Sequence, residues 1–189
     1  MREHSLLFDK GHNAKKGMRV KMESQKAVCF TGHRKIPDDK MPEVLSRLYS
    51  AVAHLIFEGY TTFICGGALG FDTLCAQCVL KMKERFPHIK LVLALPCRDQ
   101  TLKWDDVKDI STYKEILGKA DLVEYMQPFY TSSCMHERNR WMVDHSSLCV
   151  AYLTSYRSGT AYTYNYAKKK GLGLINIADE GEEKQLSFI

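Results

Sequence analysis

The 189-residue sequence contains no apolar run that approaches the roughly 20 residues needed to span a bilayer. Its first ten residues lack a sustained apolar core, so we expect no signal peptide and no membrane partner. The seven histidines lack metal-ligand spacing such as His-x-x-x-His, and we predict no metal site. Internal repeats and low-complexity segments are also missing. These absences exclude membrane-spanning and repeat architectures and leave an ordinary globular domain.

Disulfide scaffolding is absent as well. The seven cysteines are an odd number in a chain long enough to form a hydrophobic core without covalent cross-links. Free thiols favour a reducing compartment, so we predict a cytoplasmic protein. Cys75 and Cys78 have the spacing of a redox pair, but they fall on the apolar stripe of a predicted helix. We interpret both as core residues.

The formal net charge of +5 is concentrated at the N-terminus. Residues 1–26 contain seven Lys and Arg against three Asp and Glu, whereas residues 27–189 contain 20 against 19. We predict a flexible basic extension over 1–26, a folded domain over 27–178 and a C-terminal tail over 179–189. The near-neutral domain argues against nucleic acid as a partner of the core.

Short apolar or β-rich segments alternate with segments of helical periodicity. The predicted strands are 28–32, 61–65, 90–95, 121–125, 148–153 and 172–177, with Pro96 ending the third. The predicted helices run from Pro42 to a stop at Gly59, and over 71–82, 111–119, 134–145 and 159–170. This alternation predicts an α/β, Rossmann-like three-layer domain with a mostly parallel sheet of about six strands.

One predicted helix conflicts with its local pattern. Residues 160–166 alternate with a period of two, which by itself favours a strand. Ser158-Gly159-Thr160 is nevertheless a typical helix entry, and Ala167 to Gly171 is a typical exit with cations and a final glycine. We therefore predict a helix.

Parallel sheets bind ligands beyond the carboxyl ends of their strands, where glycine, hydroxyl and arginine residues collect in this sequence. The turn Gly66-Gly67-Ala68-Leu69-Gly70 lacks a dinucleotide fingerprint and a P-loop lysine, but glycines there let backbone N–H groups approach an anion. His33 is the only histidine that we expect at this edge. No catalytic residue is assigned. The predicted ligand-binding residues are Thr31, Gly32, His33, Arg34, Gly66, Gly67, Gly70, Asp72, Arg98, Arg138, Asn139, Ser158, Gly159 and Thr160.

Each of these residues also has a purely structural interpretation. The glycine turn is also what a tight strand-to-helix connection needs, and Asp72 either caps the following helix or accepts a ligand hydroxyl. Loop arginines are often only solvated. Arg138 shares a helix face with Met135 and Met142, so it needs a partner: either a ligand or a buried carboxylate, Asp72 or Asp144.

Four motifs in order resemble the YpsA-like family, which belongs to the SLOG superfamily with the DNA-processing protein DprA and the LOG phosphoribohydrolases. The resemblance covers about residues 27–177. The motifs are Thr31-Gly32-His33-Arg34, Gly66-Gly67-Ala68-Leu69-Gly70-Phe71-Asp72, Glu137-Arg138-Asn139-x-x-Met142-Val143-Asp144 and Ser158-Gly159-Thr160-x-x-Thr163-x-x-x-Ala167.

The resemblance implies a Rossmann-like fold and a pocket for a nucleotide, ADP-ribose, an NAD-like compound or phosphate. We expect a ligand-sensing or regulatory module that binds a small nucleotide-like molecule and forms a homodimer. LOG enzymes use an arginine, matched here by Arg138, and a glutamate, where this sequence has Thr163. Two alternatives stay open. An N-glycosidic hydrolase or transferase would need a replacement acid, Asp72, Asp99 or Asp144. A DprA-like single-strand DNA binder would use Tyr162, Tyr164 and Tyr166 with Lys168 to Lys170, or Trp141 with Arg140.

Overall fold

A computed structural model describes residues 26–178 as one six-stranded, entirely parallel sheet between two layers of helices. The strands are β1 (Ala27–Gly32), β2 (Thr62–Cys65), β3 (Lys90–Cys97), β4 (Leu122–Gln127), β5 (Leu148–Tyr152) and β6 (Gly173–Asn176). The helices are α1 (Met41–Phe57), α2 (Phe71–Lys83), α3 (Val107–Lys119), α4 (Cys134–Asp144) and α5 (Gly159–Lys169). The predicted Rossmann-like α/β fold is confirmed. The predicted extension and tail lie outside the described residues, apart from Lys26.

The strand order is β4-β3-β2-β1-β5-β6. Successive strands are added on one side of β1 up to β4, and the chain then crosses to the other side of β1 to form β5 and β6. The order therefore reverses between β1 and β5, which pair from Val28 with Leu148 to Gly32 with Tyr152. In open parallel sheets, ligands bind at this reversal, outside the carboxyl ends of the strands.

Both faces of the sheet are covered because successive strand residues point to opposite sides. Phe30 and Phe63 pack with α1, α2 and α3, whereas Cys29 and Ile64 pack against α4 and α5. All seven cysteines are buried free thiols, and the core positions predicted for Cys75 and Cys78 are confirmed. Within residues 26–178, no helix is long and apolar enough to cross a bilayer, and no three metal-binding side chains are grouped.

The prediction that Pro96 ends the third strand is wrong, because β3 continues through Pro96 to Cys97. β2 pairs with β3 only as far as Leu93, while β4 pairs with Leu95 and Cys97. Pro96 therefore lies beyond the end of β2, and it is not among the β3 residues that pair with β4. A proline is tolerated there because no ladder hydrogen bond requires its missing N–H.

Two helices show how local signals decide between alternatives. The helix predicted for 159–170 is confirmed as α5, where the Ser158 hydroxyl accepts a hydrogen bond from the Ala161 N–H at 3.2 Å. The capping serine therefore prevails over the period-two pattern.

α3 begins at Val107, four residues before the predicted start. Asp106 caps it by accepting hydrogen bonds from the N–H groups of Lys108 and Asp109.

Candidate functional site

A cleft of about 400 Å³ lies at the strand-order reversal, and we call it the first cleft. Its walls are the loop after β1, the first turns of α4 and α5, and the beginning of α2. Clefts of this size suit small organic ligands. Ten of the fourteen predicted site residues line it: Thr31, Gly32, His33, Arg34, Asp72, Arg138, Asn139, Ser158, Gly159 and Thr160.

His33 joins the two loops that meet at the reversal. Its Nε2 accepts a hydrogen bond from the backbone N–H of Thr154 at 3.0 Å, and its ring packs edge-on against Tyr152 at 6.1 Å between centroids. Burial lowers the pKa of His33. An accepting Nε2 in a neutral ring leaves the proton on Nδ1, so the imidazole can still donate one hydrogen bond.

The His33 contact makes stability depend on pH in a defined direction. The ordinary pKa is 6.5, and burial lowers it in the folded chain. Between the two values the unfolded chain binds more protons. The free energy of unfolding should therefore be fully retained above pH 6.5 and fall as the pH is lowered through this window. Urea unfolding monitored by circular dichroism at several pH values measures this decline.

The matched variants are His33→Gln and His88→Gln. A glutamine at position 33 offers an amide oxygen to the Thr154 N–H and does not titrate, so the decline through this window should become shallower. His88 is exposed in the turn after α2, and its replacement should leave the pH profile unchanged. An unchanged profile for His33→Gln would rule out this origin of the pH dependence.

Arg138 and Asp72 form a buried pair in the wall of the first cleft. Their side chains are 8% and 9% exposed, and Arg138 Nη1 lies 3.6 Å from Asp72 Oδ2. The same Nη1 donates a hydrogen bond to the carbonyl of Gly66. Burial raises the pKa of Asp72, while Arg138 and the N–H groups of the glycine turn oppose the rise. Of the two carboxylates that the sequence offered as partners of Arg138, the fold selects Asp72.

The glycine turn between β2 and α2 binds this internal carboxylate. The Ala68 N–H donates to Asp72 Oδ2 at 3.2 Å, and the Gly66 N–H also stabilises the Asp72 carboxylate. The Gly67 carbonyl accepts a hydrogen bond from the Gln100 side chain on the side away from the cleft. Two of the backbone donors that the turn could offer to an external anion, those of Gly66 and Ala68, are therefore directed at Asp72.

The N-terminus of α5 faces the first cleft with free backbone donors. Ser158 satisfies the Ala161 N–H, and the Tyr162 N–H bonds to the Ser158 carbonyl. Within residues 26–178, the N–H groups of Gly159 and Thr160 have no hydrogen-bond acceptor, and both residues line the cleft. Free N–H groups and the positive end of the helix dipole stabilise an anion at such a position.

The charges lining the first cleft favour an anion. Arg34 and Arg138 are its cations, and Asp72, already paired with Arg138, is its only carboxylate among the described residues. Thr163 is buried, and its hydroxyl donates to the Gly159 carbonyl at 3.2 Å. The other acid candidates lie elsewhere: Asp144 pairs with Lys170 at 2.7 Å, and Asp99 does not line the cleft.

Four predicted site residues do not line the first cleft. Gly66, Gly67 and Gly70 shape the turn behind it, and the guanidinium of Arg98 lies over the Tyr125 ring at 4.4 Å from the centroid. Ligand contact by these four stays a prediction.

The expectation that only His33 among the histidines reaches this edge is wrong, because His136 also lines the first cleft. The sequence did contain a signal for it. His136 stands three residues before Asn139, so the two residues share one face of α4.

Comparison with known proteins places these features in a family. A family model described as the YspA SLOG family matches residues 29–173. The uncharacterized SPbeta prophage-derived protein YoqJ of Bacillus subtilis (strain 168) is 34% identical over 146 residues, which are 70% of this chain and 85% of that protein.

Solved structures of DNA processing protein A (DprA) share the fold. The Streptococcus pneumoniae protein has a TM-score of 0.57 at 14% identity, over 79% of this chain and 49% of that chain. The Helicobacter pylori protein, solved for its single-stranded DNA binding mode, has a TM-score of 0.57 at 18% identity, over 87% of this chain and 75% of that chain.

Proposed function

The chain belongs to the YspA SLOG family, and from this and the geometry of the first cleft we propose that it binds a nucleotide or nucleotide derivative. ADP-ribose and NAD-like compounds are the preferred classes, and the bound state acts as a regulatory signal. The ligand's phosphate lies against the Gly159 and Thr160 N–H groups, with Arg34 at the entrance. These donors and the surplus positive charge support an anionic ligand over a neutral one.

The buried guanidinium of Arg138 is the observation that carries this proposal. Arg138 is 7% exposed and lines the first cleft. Its Nη1 is engaged by Gly66 and Asp72, but within residues 26–178 its Nε has no hydrogen-bond acceptor. A buried donor without an acceptor costs about 1–3 kcal/mol, so an oxygen supplied by a ligand would relieve that cost.

Binding is supported better than N-glycosidic hydrolysis or transfer. Such reactions need a carboxylate to act as an acid, a base or a nucleophile beside the scissile bond. The only described carboxylate of the first cleft, Asp72, is held by Arg138 and the Ala68 N–H. Thr163 stands at the position of the LOG glutamate and offers no carboxylate.

Isothermal titration calorimetry with AMP, ADP-ribose, NAD and adenosine tests the proposal. We expect at least one phosphate-bearing compound to bind at micromolar to low millimolar concentration and adenosine to bind far more weakly. Arg34→Gln should weaken that binding on the order of tenfold, because it removes a charge-assisted phosphate contact at the entrance.

Arg85→Gln is the matched control, since it removes the same charge from an exposed position after the end of α2. This variant should bind like the parent chain. Heat signals as large for adenosine as for the phosphate-bearing compounds, or none across the whole panel, would refute the proposed ligand class.

Single-stranded DNA is the second candidate ligand. An aromatic cluster on α4 and α5 favours it: the His136 and Tyr162 rings meet edge-on with 4.7 Å between centroids, and Tyr162 and Tyr166 are parallel with 6.5 Å between centroids. Arg140 flanks the cluster, where its Nε donates to the Tyr162 hydroxyl. Aromatic platforms beside cations are typical of single-strand binders. An oligothymidylate titration beside the nucleotide panel compares the two ligand classes directly.

Assembly and location stay predictions of the same proposal. The homodimer expected from the sequence is measured by sedimentation equilibrium, with and without the nucleotide that binds. The cytoplasmic location rests on the seven free thiols.

A further inference from the structure

A second cleft of about 380 Å³ lies at the same end of the sheet, on the side covered by α1. It is enclosed by the loop between β1 and α1, the first turns of α1 and the ends of β5 and β6. Lys35 and Pro37 of the loop line this cleft, while Thr31 to Arg34 of the same loop line the first. The two clefts share no lining residue, so they are separate sites.

Positive charge exceeds negative charge in the second cleft. Lys35, Lys40 and Arg47 line it with a single carboxylate, that of Glu43. Glu43 is shared, since its Oε1 lies 2.7 Å from Arg47 Nη2 and its Oε2 lies 3.3 Å from Lys40 Nζ. Within residues 26–178, Lys35 makes no ion pair. Among the described residues that line the cleft, three are cationic and one is anionic, which favours an anionic occupant.

The cation nearest the protein interior is held in place before any ligand arrives. The Arg47 side chain is 13% exposed, and its Nη1 donates to the Ile177 carbonyl at 3.1 Å while Glu43 holds Nη2. Contacts from two directions fix the guanidinium plane. Arg47 therefore places a fixed positive charge at the inner end of the cleft, while Lys35 and Lys40 lie exposed at its rim.

The floor of the second cleft is apolar. Val44, Tyr152 and Ile177 line it and are all buried in the core on the α1 side of the sheet. The Tyr152 ring is fixed by His33 at 6.1 Å and by Phe71 at 5.8 Å between ring centroids. An inorganic anion has no apolar part that could pack against this floor. A ligand with an apolar body and one anionic group matches both parts of the site.

We propose that the second cleft is a binding site for a small organic anion, a phosphate ester or a carboxylate carried on an aromatic or aliphatic body. The anionic group pairs with Lys35 and Lys40 at the rim, and the apolar body packs on Val44 and Tyr152. This site does not depend on the first cleft binding a nucleotide, because none of its residues contributes to that cleft.

Amide chemical-shift titration of the full chain tests the proposal with phenyl phosphate and benzoate as anionic probes. Benzyl alcohol and inorganic phosphate are the probes that lack one of the two features. We expect one or both aromatic anions to shift the amides of Lys35, Lys40 and Thr154 at concentrations where benzyl alcohol and inorganic phosphate do not. The stronger of the two anions identifies the preferred anionic group.

The double variant Lys35→Gln/Lys40→Gln should weaken this binding on the order of tenfold or more, the loss expected when charge-assisted contacts are removed. Lys168→Gln/Lys169→Gln removes the same charge from the exposed last turn of α5 and should not weaken it. The proposal fails if the aromatic anions shift only first-cleft amides or none. It also fails if benzyl alcohol binds equally or if both double variants weaken binding alike.

Discussion

Replacing Arg138 with methionine is expected to lower the free energy of unfolding by about 3–5 kcal/mol, the usual result of leaving one member of a buried ion pair without its partner. Asp72 would keep its hydrogen bond from the Ala68 N–H, but its carboxylate would lose the adjacent guanidinium at 9% exposure. Nucleotide affinity should fall at least tenfold, because the buried donors of the first cleft disappear with the arginine. Urea unfolding and calorimetric titration measure the two losses separately.

The double variant Asp72→Asn/Arg138→Met separates the structural contribution of Arg138 from its contribution to binding. An uncharged amide at position 72 can still accept from the Ala68 N–H, and a methionine at position 138 lies between Met135 and Met142 on its helix face. We expect the double variant to regain most of the stability but none of the affinity. Full recovery of affinity would show that Arg138 does not touch the ligand.

Lys119→Met is the control for this pair of variants. It breaks the exposed ion pair between Lys119 Nζ and Glu115 Oε1, which lie 2.6 Å apart, and should leave the free energy of unfolding almost unchanged. A cost for Arg138→Met as small as that of Lys119→Met would contradict the importance of the buried pair.

Gly70→Ala, which adds a single methyl group, is expected to lower the free energy of unfolding strongly. Gly70 has φ 75° and ψ −122°, a conformation that side chains other than glycine rarely adopt. A Cβ at this position would also overlap the backbone carbonyl of Arg34, which does not move as a flexible side chain would. Strain and overlap together should cost roughly 2–6 kcal/mol, as the sum of two effects of about 1–3 kcal/mol each.

Gly118→Ala is the matched control, because Gly118 lies within α3 and an added Cβ there would contact nothing within 4 Å. Alanine in a helix is favoured over glycine by about 0.5–1 kcal/mol, so this variant should be as stable as the parent chain or slightly more stable. Equal free energies of unfolding for the two alanine variants would show that the turn at Gly70 adapts without strain.

Periodicity and capping predicted the elements well, because both are local properties of the sequence. The entry at Ser158 and the exit before Gly171 together identified α5 despite its alternating tyrosines, and the missed start of α3 had an equally local signal in Asp106. The effect of Pro96 was predicted wrongly because it depends on the neighbouring strand, β2. Whether a strand tolerates a proline is decided by where β2 ends, which is a property of the sheet.

The location of the candidate site was easier to predict from the sequence than its internal ion pairs and hydrogen bonds. The four strand-end segments predicted the edge of the sheet at which the first cleft lies, and Arg138 was recognised as a buried cation in need of a partner. The sequence left Asp72 and Asp144 as equal partners, because only the packing of α4 against the turn after β2 distinguishes them. The same packing directs the donors of the glycine turn at Asp72, so the turn supports the site from behind.

The second cleft had no sequence signature at all. Lys35 and Glu43 are close in sequence, but Tyr152 and Ile177 come from segments far along the chain, and none of the four belongs to a recognisable motif. Such a site is created by topology. β6 brings the end of the described chain beside the loop that follows β1, and this proximity is a consequence of the strand-order reversal.

The seven buried thiols allow local opening of the native chain to be measured by alkylation. An alkylating agent reaches a core cysteine only when the surrounding structure opens, so the modification rate at each position reports a local opening equilibrium. Cys29 and Cys149 lie under α4 and α5, whereas Cys65 and Cys75 lie on the opposite side of the sheet. Mass spectrometry of pulse-alkylated protein compares the alkylation rates of cysteines on the two sides of the sheet. Equal rates indicate that the two helical layers open together, and different rates indicate that they open independently.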